Sequence, residues 1–129
     1  MAYRFQKHYT RDEARDLLPQ VREWLGRMVQ LRAEGEKFEA RFTGPPAIRS
    51  DLGGEMVNAW IRAMADFGAV LREFQRREIQ IKDLDRGLVD FPAIIGGKEV
   101  FLCWEQDEED IEFWHDLDAG YAGRERLES

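Results

Sequence analysis

Two long series of apolar residues at steps of three and four constrain the fold of this 129-residue chain most strongly. This a/d spacing is typical of a coiled coil, whose apolar seam faces a neighbouring helix. It predicts helices over residues 11–42 and 52–77, which a short Gly-Pro-Pro loop joins into an antiparallel hairpin. The series are Leu17, Val21, Trp24, Met28, Leu31, Gly35, Phe38 and Phe42, then Val57, Trp60, Met64, Phe67, Leu71 and Phe74.

Local signals refine the hairpin. Thr10 and Glu13 have the spacing of a capping box, which predicts a helix start at residue 11. Pro19 predicts a kink or a break near Leu18, since proline lacks a backbone donor and clashes with the preceding turn. Gly35 leaves room in the first seam for an aromatic ring of the second helix, with Trp60 or Phe67 as candidates.

The apolar face of the second helix is wider than one partner helix can cover. The additional apolar residues beside its seam are Met56, Ile61, Ala63 and Val70. Either the sheet or a second copy of the chain must shield them. The second possibility predicts a homodimer, and another protein partner is compatible with the same face.

After Arg77 the hydrophobic period changes to two, which predicts strands rather than helices. Gly96-Gly97 is a strong signal for a two-residue hairpin turn, and Pro92 belongs at an edge or a bulge. The sequence therefore predicts one α+β domain over residues 1–129. In it the hairpin precedes a three- or four-stranded antiparallel meander over residues 78–116, and residues 117–129 form a tail.

Charge and composition exclude several classes of protein. Residues 83–129 carry 14 acidic and 4 basic side chains, which makes nucleic acid an unlikely partner because its phosphates would be repelled. Residues 1–82, with 15 basic and 12 acidic side chains, form no clean basic stripe. No apolar run approaches about 18 residues, so no membrane span is expected. The single cysteine, Cys103, excludes an internal disulfide, and a cytoplasmic location is expected.

The segment that most resembles a site is the one that begins at His115. Asp116 and Asp118 repeat the spacing of Asp83 and Asp85, and each pair is followed by a glycine in a turn. Neither turn completes an EF-hand loop, because the ligands required at its fifth and twelfth positions are missing. His115, Asp116 and Asp118, joined by carboxylates of the earlier turn, can hold Mg²⁺, Mn²⁺ or iron, although Asp-x-Asp-x-Gly is also ordinary turn chemistry.

Three further features each allow two interpretations. Asp90 lies between apolar strand residues, and we expect it to face water or to pair with a nearby cation of Lys82, Arg86 or Arg124. Residues 120–124 can bind an anion through backbone donors and Arg124, but they lack the Lys-Ser/Thr end of a P-loop. Cys103 lies in a strand pattern and is interpreted as a packing residue rather than a nucleophile.

Five segments, residues 9–19, 82–92, 102–104, 114–115 and 120–124, carry a resemblance that covers nearly the whole chain. With these segments the chain resembles a bacterial family known as domain of unknown function 2203. This resemblance implies a single bacterial domain and no mechanism. The acidic loop 105–110 departs from the pattern, where a shorter glycine-containing turn is expected. The matched turns and tail supply the candidate ligand-binding residues, which are Asp83, Asp85, Arg86, Asp90, Trp114, His115 and Arg124.

Two functional hypotheses follow. The leading one is a non-enzymatic interaction or scaffold protein that self-associates through its helical hairpin and needs no cofactor. The alternative is a small metal-dependent hydrolase or ligand-binding domain that uses His115 and the two Asp-Leu-Asp-x-Gly turns, with a divalent metal as its cofactor.

Overall fold

The computed structural model describes residues 3–42 and 54–128, and its chain forms two compact units. One unit comprises residues 1–23 and 74–129, and the other comprises residues 24–73. The predicted loop 43–46, the start of the second helix at residue 52 and the side chain of Phe42 lie outside the described part.

Helix α1 spans Arg11–Phe42, as predicted. Its capping box is complete: the amide of Thr10 donates to Oε1 of Glu13 over 2.9 Å, and the amide of Glu13 donates to the Thr10 hydroxyl over 3.1 Å. The hydrogen bond from the Thr10 amide also lowers the pKa of Glu13. The helix continues through Pro19, so the structure shows no break there.

Helix α2 spans Gly54–Arg76, and its first part runs antiparallel to the second part of α1. Arg27 lies 3.8 Å from the carboxylate of Asp66, and further along the pair Arg41 lies 3.7 Å from Sδ of Met56. The residue that fills the space over Gly35 is Met64. The expectation of Trp60 or Phe67 at this place was therefore wrong, because the helix register brings a flexible thioether there instead of a ring.

The buried stripe of α1 also differs in detail from the predicted seam. Leu18 and Leu25 are buried, whereas the predicted seam residues Leu17 and Trp24 are half-buried. On α2, Val57 is 40% exposed and therefore does not lie in a buried seam. The other buried residues of the α1 stripe are Ala14, Val21, Met28, Leu31 and Gly35.

The sheet is an antiparallel meander of five strands in the order β1-β2-β3-β4-β5. The strands are β1 Gln80–Asp83, β2 Leu88–Ile95, β3 Lys98–Glu105, β4 Phe113–Asp116 and β5 Glu125–Arg126. The α+β class and the meander are confirmed, with one strand more than expected. The additional strand comes from the predicted tail, where β5 pairs with β4 after a 3₁₀ turn at Tyr121–Gly123.

Two local predictions for the sheet are confirmed. Gly96 and Gly97 form the turn between β2 and β3 with φ of 58° and 80°, values that favour glycine. Pro92 lies on a locally unpaired side of β2, because the pairing of β1 with β2 ends at Gln80 opposite Asp90. There the carbonyl of Pro92 accepts a hydrogen bond from the amide of Tyr9 over 2.7 Å.

The two faces of the sheet differ in chemistry because side chains alternate along each strand. One face is apolar and fully buried, and its residues are Val89, Phe91, Ala93, Val100, Leu102 and Trp104. It forms the core of the unit that also contains the buried start of α1. The opposite face carries Asp90, Cys103 and His115, and this face holds the candidate site.

Within the described ranges, no helix is long and apolar enough to cross a membrane.

Candidate functional site

Three chemically capable side chains meet on the polar face of the sheet. Asp90 on β2 is directly opposite Cys103 on β3, and His115 on β4 is opposite Phe101, two positions along β3. All three side chains are buried, and one possible ligand atom from each lies within 4.8 Å of the others. Three adjacent strands therefore supply one oxygen, one sulfur and one nitrogen donor to the same point.

The hydrogen bonds of His115 determine which nitrogen faces Asp90. Nδ1 lies 2.7 Å from the carbonyl oxygen of Asp116, and because a carbonyl can only accept, Nδ1 must donate. In the neutral ring, Nε2 then presents a lone pair to Oδ2 of Asp90, 3.0 Å away. Two acceptors at this distance require a proton or a metal ion between them. The ring is held on its other side by Phe101, with 5.6 Å between ring centroids.

Burial governs the electrostatics of the cluster. It raises the pKa of Asp90, although the nearby His115 and Lys82 act in the opposite direction. Burial, followed by the charge of Asp90, raises the pKa of Cys103 to about 12. The metal-free thiol is therefore protonated at neutral pH and is not a nucleophile. Oδ1 of Asp90 is buried and has no hydrogen-bond partner among the described residues, and the interaction of the Asp90 carboxyl with the Cys103 thiol acts to lower the pKa of Asp90.

A pocket of about 360 Å³ opens above these three residues. Its walls include Leu88 and Leu117, and Lys82 supplies a positive charge. Residues 118–121 complete its lining. The cluster thus lies at the base of a small concave site rather than in a closed core.

Stacked guanidinium groups anchor the tail beside this pocket. The ring of Tyr121 lies between Arg86 and Arg124, with their guanidinium carbons 4.4 and 4.3 Å from its centroid. Arg86 is held by both carboxylate oxygens of Glu105 at 2.8 Å, and Arg124 by Glu108 at 2.8 Å. These contacts hold Tyr121, the last residue of the pocket lining, and the segment that follows it.

A family model described as "Uncharacterized conserved protein (DUF2203)" matches residues 7–127. The chain belongs to this family. Comparison with curated proteins and with solved structures gives no match. The family description names no activity, so the chemistry of this DUF2203 chain must be inferred from its own residues.

Of the predicted site residues, the structure brings His115 and Asp90 together. The expectation that Asp90 faces water or pairs with Lys82, Arg86 or Arg124 was wrong: its side chain is 2% exposed and its ion-pair partner is His115. The sequence pattern did not identify His115 as the partner of Asp90, because the two residues are distant along the chain. Only the pairing of β2, β3 and β4 brings them close.

The structure does not bring the predicted metal ligands Asp116 and Asp118 to this cluster. Asp116 lies 2.7 Å from Nζ of Lys98, and its backbone carbonyl rather than its carboxylate contacts His115. The side chain of Asp118 is 91% exposed and lies 3.3 Å from Arg4.

The remaining candidates from the earlier turn and from the two last strands have separate roles. Oδ1 of Asp83 accepts a hydrogen bond from the amide of Arg86, three residues on in the turn, and Asp85 is exposed. Trp114 belongs to the opposite face of the sheet, since it is opposite Leu102. Arg86 and Arg124 hold Tyr121 as described above, and Nη1 of Arg124 also lies 3.9 Å from Sγ of Cys103, so this candidate does reach the cluster.

Two residues of the site were missed by sequence reasoning. Cys103 was interpreted as packing alone, and Lys82 only as a partner for Asp90. The signal for Cys103 was available, because counting back from a two-residue turn at Gly96-Gly97 places Asp90 opposite it. The signal for Lys82 was absent, because its position depends on a β-bulge between Ile81 and Asp83.

Proposed function

We propose that this DUF2203 domain binds a transition-metal ion of the Zn²⁺ type through Asp90, Cys103 and His115. The pocket above them provides an open coordination position. This is the metal-binding alternative of the sequence analysis with a different set of ligands.

The observation that carries the proposal is the orientation of His115. Its Nδ1 hydrogen bond to a backbone carbonyl is the usual support of a metal-binding histidine, since it fixes the tautomer and points the Nε2 lone pair at the metal. Here that lone pair faces a carboxylate oxygen at 3.0 Å, and the second carboxylate oxygen is buried without a donor among the described residues. A cation satisfies both acceptors.

The chemistry of the donors favours a borderline ion over Mg²⁺ or Ca²⁺. A thiolate and an imidazole suit zinc, iron or cobalt, whereas magnesium and calcium prefer oxygen ligands. Zinc bonds of roughly 2.0–2.2 Å to nitrogen and oxygen imply about 3.3 Å between tetrahedral ligand atoms. The 3.0 Å between Nε2 and Oδ2 needs only a small opening to reach this value.

Three protein ligands beside a pocket are typical of catalytic rather than structural zinc sites, which close the fourth position with protein. An ion in such a position polarises a carbonyl oxygen or lowers the pKa of bound water. The arrangement therefore supports a ligand-binding or hydrolytic role.

Cobalt provides the sharpest test, because a Co²⁺–thiolate bond gives a charge-transfer absorption and the chain has one cysteine. We expect tag-free protein to take up one equivalent of Co²⁺ with this absorption, and Zn²⁺ to displace it. Cys103→Ser should abolish the band, and His115→Gln and Asp90→Asn should weaken binding by at least about tenfold.

The matched control is His8→Gln, which removes the other histidine of the chain. His8 binds Glu99 over 2.7 Å and belongs to a different cluster, so this variant should retain the absorption and the affinity. The proposal would be refuted if the protein contained no stoichiometric metal and its melting temperature did not change in added Zn²⁺ and Co²⁺. In that case a shared proton alone would join Asp90 and His115.

A second candidate function, self-association through the helical unit, is favoured by a separate observation. Val57 and Ile61 lie one turn apart on α2 and are 40% and 51% exposed, and Val29 of α1 is 38% exposed. Exposed apolar residues one helical turn apart mark an interaction surface when they form a continuous patch.

We expect light scattering to give a dimer that Ile61→Glu converts to a monomer, whereas Asn58→Glu has no effect. A monomeric wild-type protein at micromolar concentration would contradict this.

A further inference from the structure

The charge and shape of the pocket above the proposed metal site restrict what can occupy its open position. This inference rests on the proposed function and extends it. We infer that the exchangeable ligand is a small carboxylic acid, bound as a monoanion between the metal ion and the ammonium group of Lys82.

Lys82 is placed for this role by an irregularity of the sheet. Ile81 is opposite Val89 and Asp83 is opposite Leu88, so Lys82 is the extra residue of a β-bulge on the edge strand β1. Bulges re-aim side chains and are common beside binding sites. Nζ of Lys82 lies 5.2 Å from the centroid of the Phe101 ring, which supports it at the pocket wall.

The ammonium group of Lys82 is available to a ligand. Within the described ranges, no carboxylate forms an ion pair with it, whereas the other charged wall residue, Asp118, lies 3.3 Å from Arg4. Lys82 acts on Asp90 through charge without contacting it at ion-pair distance.

The sum of charges selects a monoanion. A divalent ion is neutralised by the carboxylate of Asp90 and the thiolate of Cys103, and His115 is a neutral ligand. Lys82, an exposed residue on the wall of the pocket, then leaves one positive charge beside the metal position, which favours an anionic ligand there. A carboxylate cancels it, a neutral molecule leaves it unpaired, and a phosphate dianion exceeds it.

The walls select an apolar body for this acid. Leu88 is 5% exposed, and Leu117 and Ala119 also line the pocket. A pocket of about 360 Å³ is at the lower end of the range for small-molecule sites. A carboxylate with a short aliphatic chain therefore matches the charge, the apolar lining and the volume together.

The test uses the full chain loaded with Co²⁺ and reads the visible absorption of the metal while butyrate is added. Butyramide is the matched neutral probe, because it has nearly the same shape without the charge. We expect butyrate to change the spectrum saturably and to bind at least about tenfold more tightly than butyramide, because only butyrate can make a charge-assisted contact with Lys82.

Variants assign the effect to Lys82. Lys82→Gln should weaken butyrate binding by about tenfold and leave Co²⁺ uptake unchanged, and Lys82→Arg should keep most of the affinity. Lys37→Gln, an exposed lysine of the helical unit, is the control and should have no effect.

The outcomes separate the inference from the proposed function. The carboxylate assignment would be overturned, and the metal site left intact, if the chain took up Co²⁺ normally but bound butyrate and butyramide equally. Tighter binding of inorganic phosphate than of butyrate would have the same consequence. Undiminished butyrate affinity in Lys82→Gln would do the same. Failure of the chain to take up Co²⁺ would refute both proposals.

Discussion

At the scale of single residues, the pair of Asp90 and His115 is costly to bury. Both side chains are 2% exposed, and a buried charge without its partner is strongly unfavourable. Leucine or valine at these positions would satisfy the pattern of the flanking strand residues without this cost. Stability alone therefore gives no reason for the pair, whereas the proposed metal site would give one.

The metal-free protein allows the energetics of this pair to be measured. Asp90→Ala removes the acceptor facing Nε2 of His115, and we expect a loss of about 3–5 kcal/mol in the free energy of unfolding from urea denaturation. The double variant with His115→Ala should lose less than the sum of the two single changes, because each single change leaves the other group buried and unpaired. Strictly additive losses would mean that the two groups do not interact.

At the scale of secondary-structure elements, the capping box and the glycines of α1 show how local sequence controls a helix. Thr10 satisfies the amide of Glu13, and Glu13 satisfies that of Thr10, so two otherwise unpaired donors are paired at the helix start. Gly26 and Gly35 both lie inside the helix, where glycine is unfavourable, but only Gly35 faces a neighbouring side chain.

Replacement of the cap should weaken the start of α1. For Thr10→Ala we expect a loss of about 1 kcal/mol in the free energy of unfolding, because the amide of Glu13 loses its acceptor. Thr10→Ser keeps the hydroxyl and serves as the control in the same urea titration. Equal destabilisation by the two variants would contradict the assignment of the effect to the hydroxyl.

The two glycines should respond differently to alanine. No atom lies within 4 Å of a Cβ built on Gly26, so Gly26→Ala should stabilise the protein by about 0.5–1 kcal/mol through helix propensity alone. A Cβ at Gly35 would meet the Met64 methyl group, so Gly35→Ala should gain less. Thermal melts of both variants test this, and a larger gain at Gly35 would show that Met64 does not occupy that space.

The elements themselves were largely predictable from the sequence, whereas for the site the sequence supplied Asp90 and His115 as candidates but not their contact or their partner Cys103. Helix periodicity, the Thr10–Glu13 spacing and the Gly96-Gly97 turn are local signals, and the helices and central strands appear where these signals place them. The burial of Asp90 and its contact with His115 require that β4 pairs with β3. No local sequence pattern specifies this pairing. The strand β5 was also missed, because its two residues are too few to show a hydrophobic period.

At the scale of the whole chain, distant segments are joined through carboxylates that accept backbone hydrogen bonds. Glu99 on β3 accepts from the amides of Arg4 and Phe5 over 2.8 and 3.0 Å. Glu78 accepts from the next two amides of the chain, those of residues 6 and 7, over 2.9 and 2.7 Å. Glu78 itself has a φ of 59°, which is unusual for a residue other than glycine. Four successive amides of the N-terminal segment are thereby tied to the sheet unit by two side chains.

This attachment predicts a dependence of stability on pH. Burial alone would raise the pKa of Glu99, but the hydrogen bonds from His8, Phe5 and Arg4 outweigh it, and the pKa is lowered. A group whose pKa is lower in the folded state stabilises the fold above its unfolded pKa, about 4.3, and this contribution disappears as the pH falls through the folded pKa. Melting temperatures of the wild type and Glu99→Gln should therefore differ most at pH 6–7 and converge towards pH 3. Glu109→Gln, an exposed control, should follow the wild type throughout. A difference that persists undiminished at pH 3 would show that the charge of Glu99 does not hold the N-terminal segment.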